Sequence, residues 1–374
     1  MSAARETIAS NIEERLRKAL AVAQHDVVNE RFGRAEERLR RVAREAGDLG
    51  LADIAVSAGT IAERLLAYDV AWAGMAHAPP PPGLPALPDW DGTPLTGRRL
   101  VFAKRYRALG ADLRMGRLLG LAAAAGARVE AVVDPRLRTL FARSFPSVDF
   151  VDEIGPGSGM AAGYEVLGRH LTPDTDAIRE NFLPLRAAPA RTRALRRRYA
   201  SGAPRGTCLV GLSWHSSNQA KNAPTVKDFS ALRASGRTRF VDVNYGDRAQ
   251  DMAALRGAGL DIAEGGIDQI ASLDDLAAQL CALDHFVTIS NSAAHMAGAL
   301  GVQTTLLLAD FVGTPWPVTG EPSPWYPNLV IERRAPNETW TGTTARIASR
   351  LVHAPRRSWR HQARERLDLW RRTR

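Results

Sequence analysis

The chain contains 374 residues, of which 45% are hydrophobic, and it carries a formal net charge of +10 at pH 7. This length suffices for about two to three domains with buried cores, and no stretch reaches the roughly 18 uninterrupted apolar residues of a membrane-spanning helix. The two cysteines, Cys208 and Cys281, exclude a zinc cluster of thiolates and argue against a disulfide framework. Because the first residues are polar and unlike a signal peptide, we expect a cytoplasmic protein.

The positive charge is concentrated in two short segments. Eight arginines lie within residues 356–374, and a second cluster occupies residues 191–198. Neither cluster carries the signature of an RNA- or DNA-binding module, so we expect no nucleic-acid partner. Apolar residues recur at helical spacing within 356–374, which predicts a basic amphipathic C-terminal helix. Such a helix either docks back onto the first of the two domains predicted below or contacts an anionic membrane or another protein.

The N-terminal part of the chain has a helical pattern. Apolar residues recur every three to four positions between residues 12 and 76, with turn signals near Gly47 and Gly50, so we predict two or three antiparallel helices in a module of residues 1–78. Residues 33–39 are faintly similar to a tetratricopeptide hairpin, although stacked repeats need about three copies to close a core. The prolines of residues 79–92 predict a stiff linker.

Strands and helices alternate from residue 99 onward. This alternation is typical of an α/β fold with parallel, doubly wound sheets, and we predict two Rossmann-like domains, residues 93–200 and 205–355, with a ligand cleft between them. The predicted strands are residues 99–103, 128–133, 148–151, 207–214, 239–244, 286–289 and 304–309. The predicted helices are residues 112–125, 135–143, 248–255 and 272–283.

Residues 285–308 form the most informative stretch, because they predict a buried strand, a polar turn, a short helix of small residues and a second buried strand. Ser290, Asn291 and Ser292 are good N-caps, and a helix N-terminus offers free N–H groups and a positive dipole to an anion. His295 lies in the first turn and is a further candidate ligand for the anion. In the alternative interpretation, the small residues only permit close packing of the helix, and His295 is a buried core residue.

Six blocks of the chain resemble, in the same order, the glycosyltransferase region of bacterial tetratricopeptide-linked proteins. That region is related to the heptosyltransferase-like proteins of glycosyltransferase family 9 and, more distantly, to O-GlcNAc transferase. The resemblance implies a GT-B fold of two facing Rossmann-like domains. It also implies transfer of a sugar from a nucleotide-diphosphate donor to a glycan, lipid or protein acceptor, without a metal or other cofactor. The blocks are residues 90–95, 141–146, 211–214, 240–247, 276–301 and 323–327.

A leaving diphosphate must be stabilised by backbone N–H groups and by polar or cationic side chains when no metal assists. Lys221 is a candidate because residues 218–221 are similar to the O-GlcNAc transferase segment whose lysine contacts the diphosphate; alternatively it is a solvated loop lysine. Residues 244–247 either contact the nucleoside or form an ordinary turn. Trp325 and Tyr326 either stack on the base or sugar of a ligand or pack at the interdomain hinge. The full predicted donor site is Ser213, Asn218, Lys221, Asn244, Tyr245, Gly246, Ser290, Asn291, Ser292, His295 and Asp310.

The turn after the first strand departs from the family pattern. Related chains carry glycines followed by an acid that is a plausible base for the acceptor hydroxyl, whereas Ala108 and Ala111 replace the first glycine and the acid here. Asp112 is the remaining candidate catalytic residue, and its alternative role is a helix N-cap. Either Asp112 is the base in an altered loop, or catalysis is weak, or the chain is a catalytically degenerate scaffold or nucleotide-binding protein.

Overall fold

The computed structural model describes residues 2–80, 85–105, 108–216, 218, 222–234, 237–309, 315–335 and 337–353. Its N-terminal part contains four helices rather than the predicted two or three, because a further break at residues 65–67 separates the last two. Consecutive helices pack against one another. Among the described residues, no helix combines the length and the apolar character needed to cross a bilayer. The helices are α1 (Ser2–Val28), α2 (Phe32–Asp48), α3 (Ala52–Arg64) and α4 (Tyr68–Met75).

Helices α3 and α4 approach closely through two glycines. A Cβ atom on Gly74 would lie 2.5 Å from the Ala55 carbonyl oxygen and 2.9 Å from Cα of Gly59, so only glycine permits this crossing. Helix α4 then docks onto the α/β part, where Nε1 of the buried Trp72 donates to the Thr172 carbonyl at 3.0 Å. The helical module is therefore attached to the rest of the chain by buried contacts.

The first sheet has four parallel strands in the order β3-β2-β1-β4. Its strands are β1 (Arg99–Phe102), β2 (Arg128–Ala131), β3 (Val148–Phe150) and β4 (Met160–Ala162). The helices in this part are α5 (Leu109–Met115), α6 (Arg117–Ala124), α7 (Pro135–Ser144), α8 (Tyr164–Leu171), α9 (Thr175–Glu180) and α10 (Pro189–Ala200). Residue Asp89 of the predicted linker bridges Ala161 of β4, so the end of that segment is anchored to the sheet edge.

The second sheet has six parallel strands in the order β10-β9-β8-β5-β6-β7, which is the Rossmann strand order. Its strands are β5 (Cys208–Ser213), β6 (Thr238–Asp242), β7 (Ile262–Ala263), β8 (His285–Ile289), β9 (Thr304–Leu308) and β10 (Leu329–Arg333). The helices are α11 (Ala249–Gly257), α12 (Leu273–Cys281), α13 (Ser292–Ala299) and α14 (Trp340–His353), together with a 3₁₀ helix, Val226–Ala234.

The predicted strands are confirmed with ends that differ by one or two residues, since most of their apolar side chains are buried in the sheets. Strands β4, β7 and β10 were not predicted, because each is short or lies among polar residues. The predicted helix 112–125 is wrong in two respects. It begins earlier, at Leu109, and it is interrupted at Gly116, whose close contact with the Phe141 ring leaves no room for a side chain.

Candidate functional site

Each sheet has a switch point where the strand order reverses, between β1 and β4 in the first sheet and between β5 and β8 in the second. In open α/β sheets, ligands bind beyond the carboxyl ends of the strands at such points. Helix α5 follows β1, helix α13 follows β8, and the two helices pack against each other. The start of α13 and the helix after the altered turn therefore lie in one region of the molecule.

Three predicted donor-site side chains are joined by hydrogen bonds at the carboxyl ends of β5, β6 and β8. The Asn291 amide donates to Ser213 Oγ at 2.9 Å, and Ser213 Oγ lies 3.3 Å from Asn244 Oδ1. The same Asn244 oxygen accepts from the backbone N–H groups of Trp214 and His215 at 2.9 and 3.0 Å. These bonds fix the starts of the loops that follow three strands, so this end of the sheet carries a preorganised polar cluster.

The start of α13 confirms the predicted N-cap. Asn291 is extended and its Oδ1 accepts from the Ala294 N–H group at 3.0 Å, while Ser292 is exposed as the first helical residue. The Ser290 hydroxyl is buried and accepts from Nε1 of Trp316 at 2.9 Å. The capping role therefore belongs to Asn291, and Ser290 instead orients an aromatic ring behind the turn.

His295 is held in an aromatic environment inside the first turn of α13. Its ring stacks on Trp316 at a centroid distance of 4.6 Å and an interplanar angle of 7°. Nδ1 lies 2.9 Å from the Tyr326 hydroxyl, and the side chain is only 6% exposed. The buried-histidine interpretation is thus correct for most of the ring, although the edge that carries Nε2 lies against Gly110 of α5.

A cavity of about 590 Å³ opens beyond the carboxyl ends of β6 and β7. Its wall includes Asn244, Tyr245 and Gly246, for which a nucleoside contact or an ordinary turn was expected, and Gly246 has the positive φ of a turn residue. Burial raises the pKa of the Asp242 carboxyl in this wall. Gln279 also contributes, and its buried Oε1 accepts no hydrogen bond from the described residues. The cavity therefore offers several acceptors to the N–H or O–H groups of a ligand.

The loop after β5 is only partly described. The His215 ring makes an edge contact with Tyr245 at 4.8 Å, which connects this loop to the cavity wall. Asn218 is exposed, and its backbone N–H donates to Ser216 Oγ at 3.3 Å. The predicted contacts Lys221 and Asp310 lie outside the described residues.

Asp112 is neither a helix cap nor an exposed acid. The N-cap of α5 is Ala108, which offers no side-chain bond, whereas the fully buried Asp112 carboxylate pairs with Lys104 and accepts from the Tyr164 hydroxyl at 3.0 Å. Burial raises the pKa of Asp112, and the Lys104 and Tyr164 hydrogen bonds oppose that rise. The predicted capping role is wrong, and the carboxylate is buried beneath the turn that follows β1.

Sequence reasoning missed a second acid at this switch point. Glu165 starts α8 beyond β4, and its buried carboxylate lies 3.0 Å from Nε of Arg105. Arg105 also donates to both oxygens of Asp89 and to the carbonyls of Ala76 and Ala78, so it ties the linker to the sheet. Burial raises the pKa of Glu165 to about 7. A glutamate within the otherwise apolar stretch 160–167 would have been the signal in the sequence.

Trp325 is buried where the helical module meets the rest of the chain. Its Nε1 donates to the Tyr68 hydroxyl of α4 at 2.8 Å, and the Arg117 guanidinium of α6 lies 4.7 Å from its ring centroid. Beside it, the buried Arg114 of α5 pairs with the buried Glu63 of α3 at 2.9 Å. Burial lowers the pKa of Arg117 to about 10. This junction connects the helical module to both sheets.

No family model matches the chain. It is similar to Protein FlbA of Caulobacter vibrioides, with 27% identity over 331 residues, which cover 80% of this chain and 54% of FlbA. The chain thus spans about half the length of that curated relative. Among solved structures, it is similar to a glycosyl transferase family 9 protein from Veillonella parvula, with 14% identity and a TM-score of 0.51. That alignment covers 70% of this chain and 99% of the other. The α/β part therefore has a fold of the kind found in glycosyltransferase family 9.

Proposed function

We propose that this chain is a GT-B glycosyltransferase that moves a sugar from a nucleotide-diphosphate donor to a hydroxyl group of a glycan, lipid or protein acceptor. The observation that carries the proposal is the hydrogen-bonded set Ser213, Asn244 and Asn291 at the switch point of the second sheet. Fixed amides and hydroxyls beside a helix N-terminus are suited to an anion, because they need no reorganisation when charge develops. The likeness in fold to a family 9 glycosyl transferase supports the same conclusion.

The donor would extend from α13 into the cavity beyond β6 and β7. The diphosphate would lie at the exposed start of α13, near Ser292, and the nucleoside would occupy the cavity, whose volume is typical of a small-molecule site. The Asp242 carboxylate at the end of β6 corresponds in place to the acid that binds a ribose hydroxyl in Rossmann domains. Lys221, on the loop after β5, would supply a cation to the diphosphate in place of a metal.

Calorimetric titration with UDP, GDP, ADP and their sugars tests the proposal. At least one nucleotide should bind, and EDTA should leave its affinity unchanged. Lys221→Ala should weaken binding about tenfold or more, the usual effect of losing one hydrogen bond that serves a charged group. Ser213→Ala removes the hydroxyl that accepts from the Asn291 amide, so it should loosen the start of α13 and weaken binding as well. Asn181→Ala is the matched control, since it removes a polar side chain that donates locally, to the Ala177 carbonyl. Wild-type protein that binds none of these nucleotides would refute the proposal.

A catalytically degenerate scaffold is the second candidate function. The observation that favours it is the buried Asp112, whose carboxylate is already occupied by Lys104 and Tyr164. A scaffold of this kind would bind a nucleotide without releasing the sugar to water or to an acceptor. Incubation with the tightest nucleotide sugar and mass-spectrometric detection of the free nucleotide distinguishes the two: turnover excludes the scaffold, and binding without turnover supports it.

A further inference from the structure

The helical module is bonded to the helices that cover the first sheet. Helix α4 packs against α8 at Gly168, where a Cβ atom would lie 2.6 Å from the indole ring of Trp72. The Trp72 N–H donates to the Thr172 carbonyl, at the end of α8, at 3.0 Å. On the neighbouring helix, the buried Glu63 of α3 pairs with the buried Arg114 of α5 at 2.9 Å. Both α3 and α4 are therefore fastened to this side of the molecule.

The same two helices are bonded to the second sheet, through the connection between β9 and β10. In that connection, the Val318 N–H donates to the Arg64 carbonyl at the end of α3 at 3.0 Å. Nε1 of Trp325 donates to the Tyr68 hydroxyl of α4 at 2.8 Å. The Trp325 ring also meets the Trp72 ring edge-on, at a centroid distance of 6.2 Å and an interplanar angle of 90°. Trp72, which is 1% exposed, thus contacts both sides of the molecule.

Two further hydrogen bonds join the two sides directly. The Leu185 N–H donates to the Ala299 carbonyl of α13 at 2.8 Å, and the buried Arg117 guanidinium of α6 donates to the Trp325 carbonyl at 3.3 Å. A buried polar group that loses its partner costs free energy, so each of these bonds favours a single placement of one sheet relative to the other. The bonds made by α3 and α4 act in the same direction, because each helix is attached on both sides.

We propose that the helical module is a brace, which holds the two sheets in one relative placement by bonding to both of them. The packing of α5 against α13, beyond the carboxyl ends of β1 and β8, is then fixed before a ligand binds. A ligand at the switch points would bind without drawing the sheets together. This role of the module is independent of the identity of that ligand.

Hydrogen–deuterium exchange of the full chain tests the brace through the Leu185 amide, because its bond to α13 breaks when the two sides separate. Tyr68→Phe keeps the ring but removes the hydroxyl that accepts from Trp325, so a buried indole N–H loses its partner. The exchange rate of the Leu185 amide should rise about tenfold or more. The Phe286 amide, which is bonded within the second sheet, should exchange at the wild-type rate.

Ser57→Ala is the matched control, since it removes a hydroxyl of the same module that donates within α3, to the Asp53 carbonyl at 2.7 Å. It should leave both exchange rates unchanged. A wild-type rate at Leu185 in Tyr68→Phe would overturn the proposal, and so would an equal rise at Leu185 and Phe286, which is the result of a loss of overall stability. Trp72→Phe removes the bond on the first-sheet side and should raise the Leu185 rate as well; an unchanged rate would count against the brace whether or not a nucleotide binds.

Discussion

Glu165→Gln should make the stability of the protein less dependent on pH. Burial raises the Glu165 pKa from 4.5 to about 7, so the folded state holds a proton that the unfolded chain has already released. The proton on Glu165 therefore stabilises the folded state fully below pH 4.5, and this stabilisation is lost as the pH rises through about 7. A shift of this size corresponds to about 3 kcal/mol in the free energy of unfolding. Glutamine resembles the protonated side chain in shape and stays neutral at every pH.

Urea unfolding at several values between about pH 5 and pH 8 measures this effect. The variant should be close to wild type at the lower pH and more stable than wild type at the higher pH, by about 2 to 3 kcal/mol. Glu37→Gln is the control, because it removes the same charge from an exposed position on α2. A difference between Glu165→Gln and wild type that is constant across the range would refute the argument that the buried carboxylate titrates near neutrality.

Three further substitutions test the packing between the parts of the chain. Glu63→Ala leaves the Arg114 guanidinium buried without this partner, so the free energy of unfolding measured with urea should fall by about 3 to 5 kcal/mol. The double variant Glu63→Ala/Arg114→Met should recover most of that loss. Gly74→Ala places a Cβ atom 2.5 Å from a carbonyl oxygen of α3, so the free energy of unfolding should fall by about 1 to 3 kcal/mol. The melting temperature should fall with it, and an unchanged melting temperature would contradict the close crossing. Asp274→Asn weakens a partly exposed ion pair with Arg143, which joins α7 to α12, and should lower the free energy of unfolding by under about 1 kcal/mol. A larger coupling energy in a double-mutant cycle would show that this pair is stronger than surface pairs usually are.

The candidate site illustrates how far sequence patterns extend. Asn291 was predictable as a cap, because a polar residue between a buried strand and a helix of small residues satisfies local N–H groups. The role of Ser290 was not predictable, since its partner Trp316 comes from a distant loop. In the same way, Asp112 was expected to be a cap or a base, and only its contact with Tyr164 of α8 shows that it is buried and paired.

The sequence by itself determined most of the strands and helices and the position of the α13 cap, because periodic burial and capping depend on residues a few positions apart. The tertiary structure alone decided which strand ends are neighbours. Ser213, Asn244 and Asn291 are far apart in the chain, and their contact depends on the placement of β5 between β6 and β8. The raised pKa of Glu165 and the orientation of His295 have the same origin, since desolvation and hydrogen-bond direction are set by groups that folding brings together.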